Sequence, residues 1–158
     1  MTLNLRLLCV LLFAFMLTIT PLPAVIATAR PSLVLLLVLY LQFFLPAYVN
    51  SIVIFLIGLS MDILLSTALG EHAFALLLTT VVTAGKARRF SFFSLGQQMI
   101  LIAVFCLVYQ SIIFVIEACL GYHNGLIMLV APALISMFLW PWLKLLADNS
   151  FFIKAKVY

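Results

Sequence analysis

Residues 50–73 read NSIVIFLIGLSMDILLSTALGEHA, an apolar run from Asn50 to Leu69 broken by one carboxylate, Asp62. A hydrocarbon layer about 30 Å thick needs about 20 mostly apolar residues per helix, and this run has that length without a strand-like alternation. The same character extends outward in both directions. Of the 158 residues, 68% are apolar and 8% charged, with mean hydropathy +1.38. The few charges fall between apolar runs rather than within an amphipathic pattern. A water-soluble domain of this size needs a polar surface that this composition cannot supply, so the expected solvent is lipid.

Six runs can be read as spans, at about 7–27, 32–47, 50–69, 71–85, 95–120 and 126–146, making residues 1–158 a single integral membrane domain. The expected fold class is all-α, a polytopic bundle of six transmembrane helices. A transmembrane barrel is disfavoured because the runs are continuous and lack a period of two. The longest polar stretch, Lys86 to Ser94, is too short to fold alone. The fourth run is the weak one, since its 15 residues reach only about 22 Å as a helix. Gly121-Tyr122-His123-Asn124-Gly125 reads as a tight turn. At the N-terminus Arg6, the apolar run after it and Ala27-Thr28-Ala29 imitate a secretory signal. The further spans that follow at once favour an uncleaved first helix. Cys9, Cys106 and Cys119 form no metal or disulfide spacing and read as small hydrophobes.

With six spans and both termini inside, Arg6, Lys86, Arg88, Arg89, Lys144, Lys154 and Lys156 fall on the cytoplasmic side and Arg30 alone outside. That asymmetry is the positive-inside signal and sets the expected topology. The Lys86-Ala87-Arg88-Arg89 cluster is then an anchor near anionic lipid, not a nucleic-acid site. Trp140, Trp142 and Tyr158 are expected at the interface near that end.

The acids gather at the opposite end. Asp62, Glu71 and Glu117 lie toward the outer leaflet with Arg30, His72 and His123. A carboxylate well inside an apolar helix costs about 2.5 to 3.5 kcal/mol to insert, so it persists only if something compensates it. Arg30 is the one cation on that side, and a pair between Arg30 and Asp62 or Glu117 is expected. Glu71-His72 reads as a solvated turn pair rather than a metal site. Two stripes suggest close packing. Gly58, Asp62, Ser66 and Gly70 recur every four residues; Gly96, Ala103, Gln110 and Glu117 recur every seven, with Cys106 beside them. These faces are expected to meet each other or to receive a foreign helix. The sequence holds no GxSxG, HExxH or P-loop, and one intramembrane aspartate is too few for a clustered metal site. An enzyme is not expected, and neither a cofactor nor a metal.

The segments Arg30 to Tyr40 (RPSLVLLLVLY) and Gly58 to Ala73 (GLSMDILLSTALGEHA) resemble the rod shape-determining MreD family. Gln97-Gln98, Glu117 and Trp140-Pro141-Trp142 continue the resemblance in order, from about residue 30 to 146. Ser32 is a departure, since an acidic or amide residue often follows the proline in that family. The resemblance implies a multi-pass protein of the bacterial inner membrane within the elongation machinery. It implies contact with the transmembrane helix of MreC, and through it with MreB, RodA and its partner transpeptidase. It implies a fold similar to the substrate-binding subunits of energy-coupling-factor transporters. No catalytic residue is carried over. The residues expected to serve packing or partner contact are Arg30, Pro31, Gly58, Asp62, Ser66, Gly70, Gln110, Glu117, Trp140 and Pro141. A small-molecule-binding transport subunit is the alternative, and an open polar cavity among Arg30, Asp62 and Glu117 would mark it.

Overall fold

The computed structural model describes residues 3–19, 32–45, 49–90, 92–121, 125 and 127–151. Arg30 and Pro31, the signal-like Ala27-Thr28-Ala29, the loop residues Tyr122 to Asn124, and Lys154, Lys156 and Tyr158 lie outside them, as do the side chains of Arg6, Cys9 and Arg88. The described chain is all-helical: α1 (Leu3–Ile19), α2 (Leu33–Phe44), α3 (Ser51–Leu65), α4 (Glu71–Phe90), α5 (Leu95–Cys119) and α6 (Ile127–Phe151). Two segments, Leu95–Cys119 and Leu129–Leu146, are long and apolar enough to cross a membrane, while Leu33–Phe44 and Ser51–Leu65 are apolar but shorter.

Successive helices from α3 to α6 pack on one another, α3 on α4, α4 on α5 and α5 on α6. The short α2 sits inside, against α1, α4 and α6. Its 12 residues reach only about 18 Å. Val34 through Tyr40 are all buried, as are Gln42 and Phe43. A helix apolar on every side is one enclosed by other helices, and α2 is the centre of this bundle.

Two boundaries differ from the sequence reading. The third helix stops at Leu65, because Ser66 turns into the left-handed region (φ 54°) and closes the end through bonds to the Asp62 and Ile63 carbonyls. Asp62 therefore lies in the last turn of α3 and not at mid-span. The fourth helix continues past residue 85 to Phe90, a total of 20 residues or about 30 Å. Lysine, alanine and arginine are good helix formers, so the charged cluster ends the apolar stretch without ending the helix.

Several polar groups along the interior are paired. Gln42 Nε2 donates to the Thr80 carbonyl at 2.7 Å, and Thr83 Oγ1 donates to Gln42 Oε1 at 2.9 Å, tying α2 to α4. Thr79 returns its hydroxyl to the Ala75 carbonyl. In an apolar medium such groups need protein partners, since no water replaces them. Outward-facing side chains are apolar, with Phe13, Met16, Leu69, Phe92 and Phe138 all more than half exposed. In water a patch of this extent would aggregate; in lipid it is an ordinary surface.

One end of the bundle is basic and aromatic. Phe43 stacks on Phe90 at 4.0 Å, and Phe90 meets Trp140 edge-on at 5.6 Å. Trp140 is fully buried, contrary to its expected interfacial place, whereas Trp142 is 70% exposed. The two differ because they lie on opposite sides of α6, and the side carrying Trp140 faces α2. Lys144 Nζ lies 5.5 Å from the Phe44 ring centroid, and Lys86 Nζ 5.9 Å from that of Phe105.

Candidate functional site: the acid end of the bundle

At the other end the last turn of α3, the first turn of α4 and the last turn of α5 come together. Asp62 is almost completely buried, and its carboxylate is filled from the loop that follows it. The backbone N–H of Gly70 donates to Oδ2 at 2.8 Å and that of His72 to Oδ1 at 2.8 Å. Thr67 Oγ1 lies at 3.4 Å from Oδ1. His72 Nδ1 lies 3.1 Å from the same oxygen. Which of the two donates in this contact is set by the imidazole tautomer. The first N–H groups of a helix have no partner within it, and a negative charge beside them is favoured by the helix dipole. Asp62 thus caps α4 from a different helix. Gly70 adopts φ +98°, which lets its N–H turn toward the carboxylate at no cost to a side chain.

Gly58, one turn earlier on α3, permits the approach that makes this capping possible. A methyl group built on Gly58 would overlap Ala73 Cα and stand 2.7 Å from the Ala73 nitrogen. The glycine and aspartate of the every-four stripe therefore face α4 of the same chain. Ser66 forms the exposed left-handed turn that ends α3.

Glu71 and His72 are not the solvated pair expected from sequence. Glu71 is 5% exposed, and its Oε1 has no hydrogen-bond partner among the described residues. Asp62 and Glu117 act on it as like charges. His72 is largely buried, held by Asp62, with the Tyr109 ring edge-on at 6.3 Å. Both are enclosed because α4 starts only five residues beyond the turn at Ser66 and folds straight back onto α3.

The second stripe distributes differently. Gln110 Nε2 donates to Ser32 Oγ at 3.2 Å, linking α5 to the start of α2. The serine at the familial departure point thus serves an interhelical bond and not a side-chain cap. Glu117 is half-buried in the last turn of α5. Pro141 lies inside α6, half-buried beside Trp140. The expected pairing of Arg30 falls outside the described residues.

Sequence reading named Gln98 without assigning it work. It is a four-way junction at the basic end. Nε2 donates to the carbonyls of Phe93 at 2.9 Å and Phe90 at 3.3 Å. Oε1 accepts from Lys144 Nζ at 3.0 Å and Trp140 Nε1 at 3.5 Å. Its neighbour Gln97 accepts the Ser94 backbone N–H at 3.2 Å, closing the start of α5. The signal available was the amide pair at the head of an otherwise apolar run. Among the described residues, no group of three or more His, Cys, Asp or Glu side chains is placed to hold a metal ion.

The fold and this end of it define a helical protein of membrane character whose polar groups bind its own helices together. A family model described as rod shape-determining protein MreD matches residues 2–149. A rod shape-determining protein MreD of Haemophilus influenzae is 30% identical over 133 residues, covering 84% of this chain and 82% of the relative. The chain belongs to the MreD family, a family of membrane proteins tied to rod shape determination. No solved structure matches it.

Proposed function

We propose that the chain is a non-enzymatic scaffold of the bacterial inner membrane, part of the elongation machinery that maintains rod shape. In this reading it receives the transmembrane helix of MreC and orients that partner. Through MreC it acts on MreB, RodA and the partner transpeptidase to organise lateral peptidoglycan synthesis. All six helices are embedded, with both termini cytoplasmic, in an arrangement like that of the energy-coupling-factor substrate-binding subunits. Membership of the MreD family is the observation that carries the reading.

The state of Asp62 favours scaffold over transport subunit. A ligand-binding carboxylate keeps acceptor capacity open toward a cavity, whereas both oxygens of Asp62 accept from the following turn. Interhelical polar contacts of this kind contribute about 0.6 to 1.7 kcal/mol each in lipid, enough to fix helix packing.

Depletion of the protein in a rod-shaped cell tests the function. Rounding of the cells, with loss of MreC from purified membrane complexes, is the expected outcome; rods that persist at full depletion overturn the proposal. Thiol labelling of engineered cysteines at Ala68 or Leu69 and at Lys86 or Arg89, all exposed, tests the topology. Labelling of both pairs from the same side of the membrane refutes a crossing by α4.

A further inference from the structure

The helix α4 has a second side that its own chain leaves open. Between α4 and α5 runs an apolar groove of about 520 Å³, lined by Phe74, Leu78, Val104, Val108, Ser111 and Val115 among others. Phe74 and Val115 are 57% and 60% exposed along it. An apolar groove in lipid is by itself unremarkable, because acyl chains can fill it. The acid end gives this one a direction.

Glu71 lies on the same stripe of α4 as Phe74 and Leu78, one turn nearer the acid end, by the spacing of three and four. Among the described residues its Oε1 is buried without a donor, while a small part of the residue stays open. Asp62 and Glu117 add negative potential around it, and Asp62 has its own donors. A buried carboxylate oxygen among like charges is costly unless the group takes a proton or a cation reaches it. The described residues assemble no metal site there. Among the described residues no basic side chain reaches that oxygen, and one supplied from outside would remove that cost. Halfway along the groove Ser111 returns its hydroxyl to the Leu107 carbonyl, leaving a small, self-satisfied surface of the kind against which membrane helices approach closely.

We propose that the groove between α4 and α5 docks a single apolar transmembrane helix of another protein, whose one arginine or lysine meets Glu71 at the acid end. This rests on the scaffold reading above and locates its contact face, moving it from the Gly58 stripe, which α4 already covers.

The test places a photo-crosslinking residue at Phe74, Leu78, Val108 or Val115 in the full chain, in membranes containing epitope-tagged MreC. Phe13, Ile52 and Phe138, exposed on other helices, serve as controls. Groove positions are expected to capture MreC about tenfold more than the controls. Glu71→Gln should lower that capture about three- to tenfold, and Glu71→Asp should retain it. Recovery of MreC with the chain while groove positions give only lipid adducts, or only a second copy of the chain, overturns the groove and leaves the scaffold reading standing. Unchanged capture in Glu71→Gln overturns the charged contact. Failure of the unmodified chain to recover MreC at all overturns both.

Discussion

The two ends of the bundle solve the same problem in opposite ways. At the basic end one neutral amide, Gln98, satisfies groups from the α4–α5 turn and from α6, reaching 46 residues along the chain to Lys144. All its polar valences are used. At the acid end Asp62 draws its partners from within ten residues, the loop and helix start that follow it. Its neighbour Glu71 keeps one buried oxygen unmatched. A neutral hub closes the fold on itself, and a cluster of acids leaves it charged and open to a further group. The basic end spends every polar valence on its own helices, whereas among the described residues the acid end leaves one oxygen without a donor.

The largest effect is expected where a charge holds backbone. Asp62→Leu removes the acceptor of two N–H groups in an apolar setting and adds bulk beside α4. The loss should be about 3 to 5 kcal/mol, read as a collapse of thermal stability in detergent and rapid proteolysis. A variant as stable as the parent would mean that the capping of α4 contributes little, and the contrast between the ends would fail. Gln98→Leu comes next, at about 2 to 3 kcal/mol, because it strands the Phe93 carbonyl and the Lys144 amine, while the Phe90 carbonyl still accepts from the Phe93 N–H. Its signature is looseness at the basic end, visible as faster hydrogen exchange in the α4–α5 turn with the α3–α4 turn unchanged.

Gly58→Ala sharpens the comparison from the packing side. The added methyl meets Ala73 backbone, which cannot rotate away as a side chain can. Separating α3 from α4 lengthens the bonds to Asp62, for a cost of about 1 to 3 kcal/mol. Stability measured with Asp62→Leu in the same chain should then fall by less than the sum of the two changes, since both act on one contact.

Much of this organisation was legible in the residues. Continuous apolar runs announced helices, and an isolated aspartate within one announced a polar contact, whereas the Glu71-His72 pair read as solvated. What escaped was the backbone share of its partners, Arg30 lying outside the described residues. A carboxylate in an apolar run suggests a search for a cation, and Arg30 was the nearest by topology. Backbone N–H groups are invisible in a sequence because every residue carries one; only the left-handed turn at Ser66 and the positive φ at Gly70 aim them at Asp62. Helix ends escaped for a related reason, since α4 runs through its charged cluster while α3 stops inside its apolar run. Trp140 and Trp142 show the same limit: two residues apart in sequence, they share a composition and sit in opposite environments.

The smallest effect on stability has the opposite sign, and it tests the comparison most sharply. Glu71 forms no hydrogen bond through Oε1 and stands among like charges, so replacing it with glutamine removes repulsion and sacrifices no bond made there. Glu71→Gln should raise the stability of the isolated chain slightly, by no more than about 1 kcal/mol. A residue kept for the fold alone would destabilise when neutralised, as is expected of Asp62 one helix away. Measured side by side in detergent without any partner, Asp62→Asn should lower the melting temperature and Glu71→Gln should hold or raise it. A fall in both would make the acid end one structural unit like the basic end, and the unmatched oxygen of Glu71 would lose its meaning as a place kept for another protein.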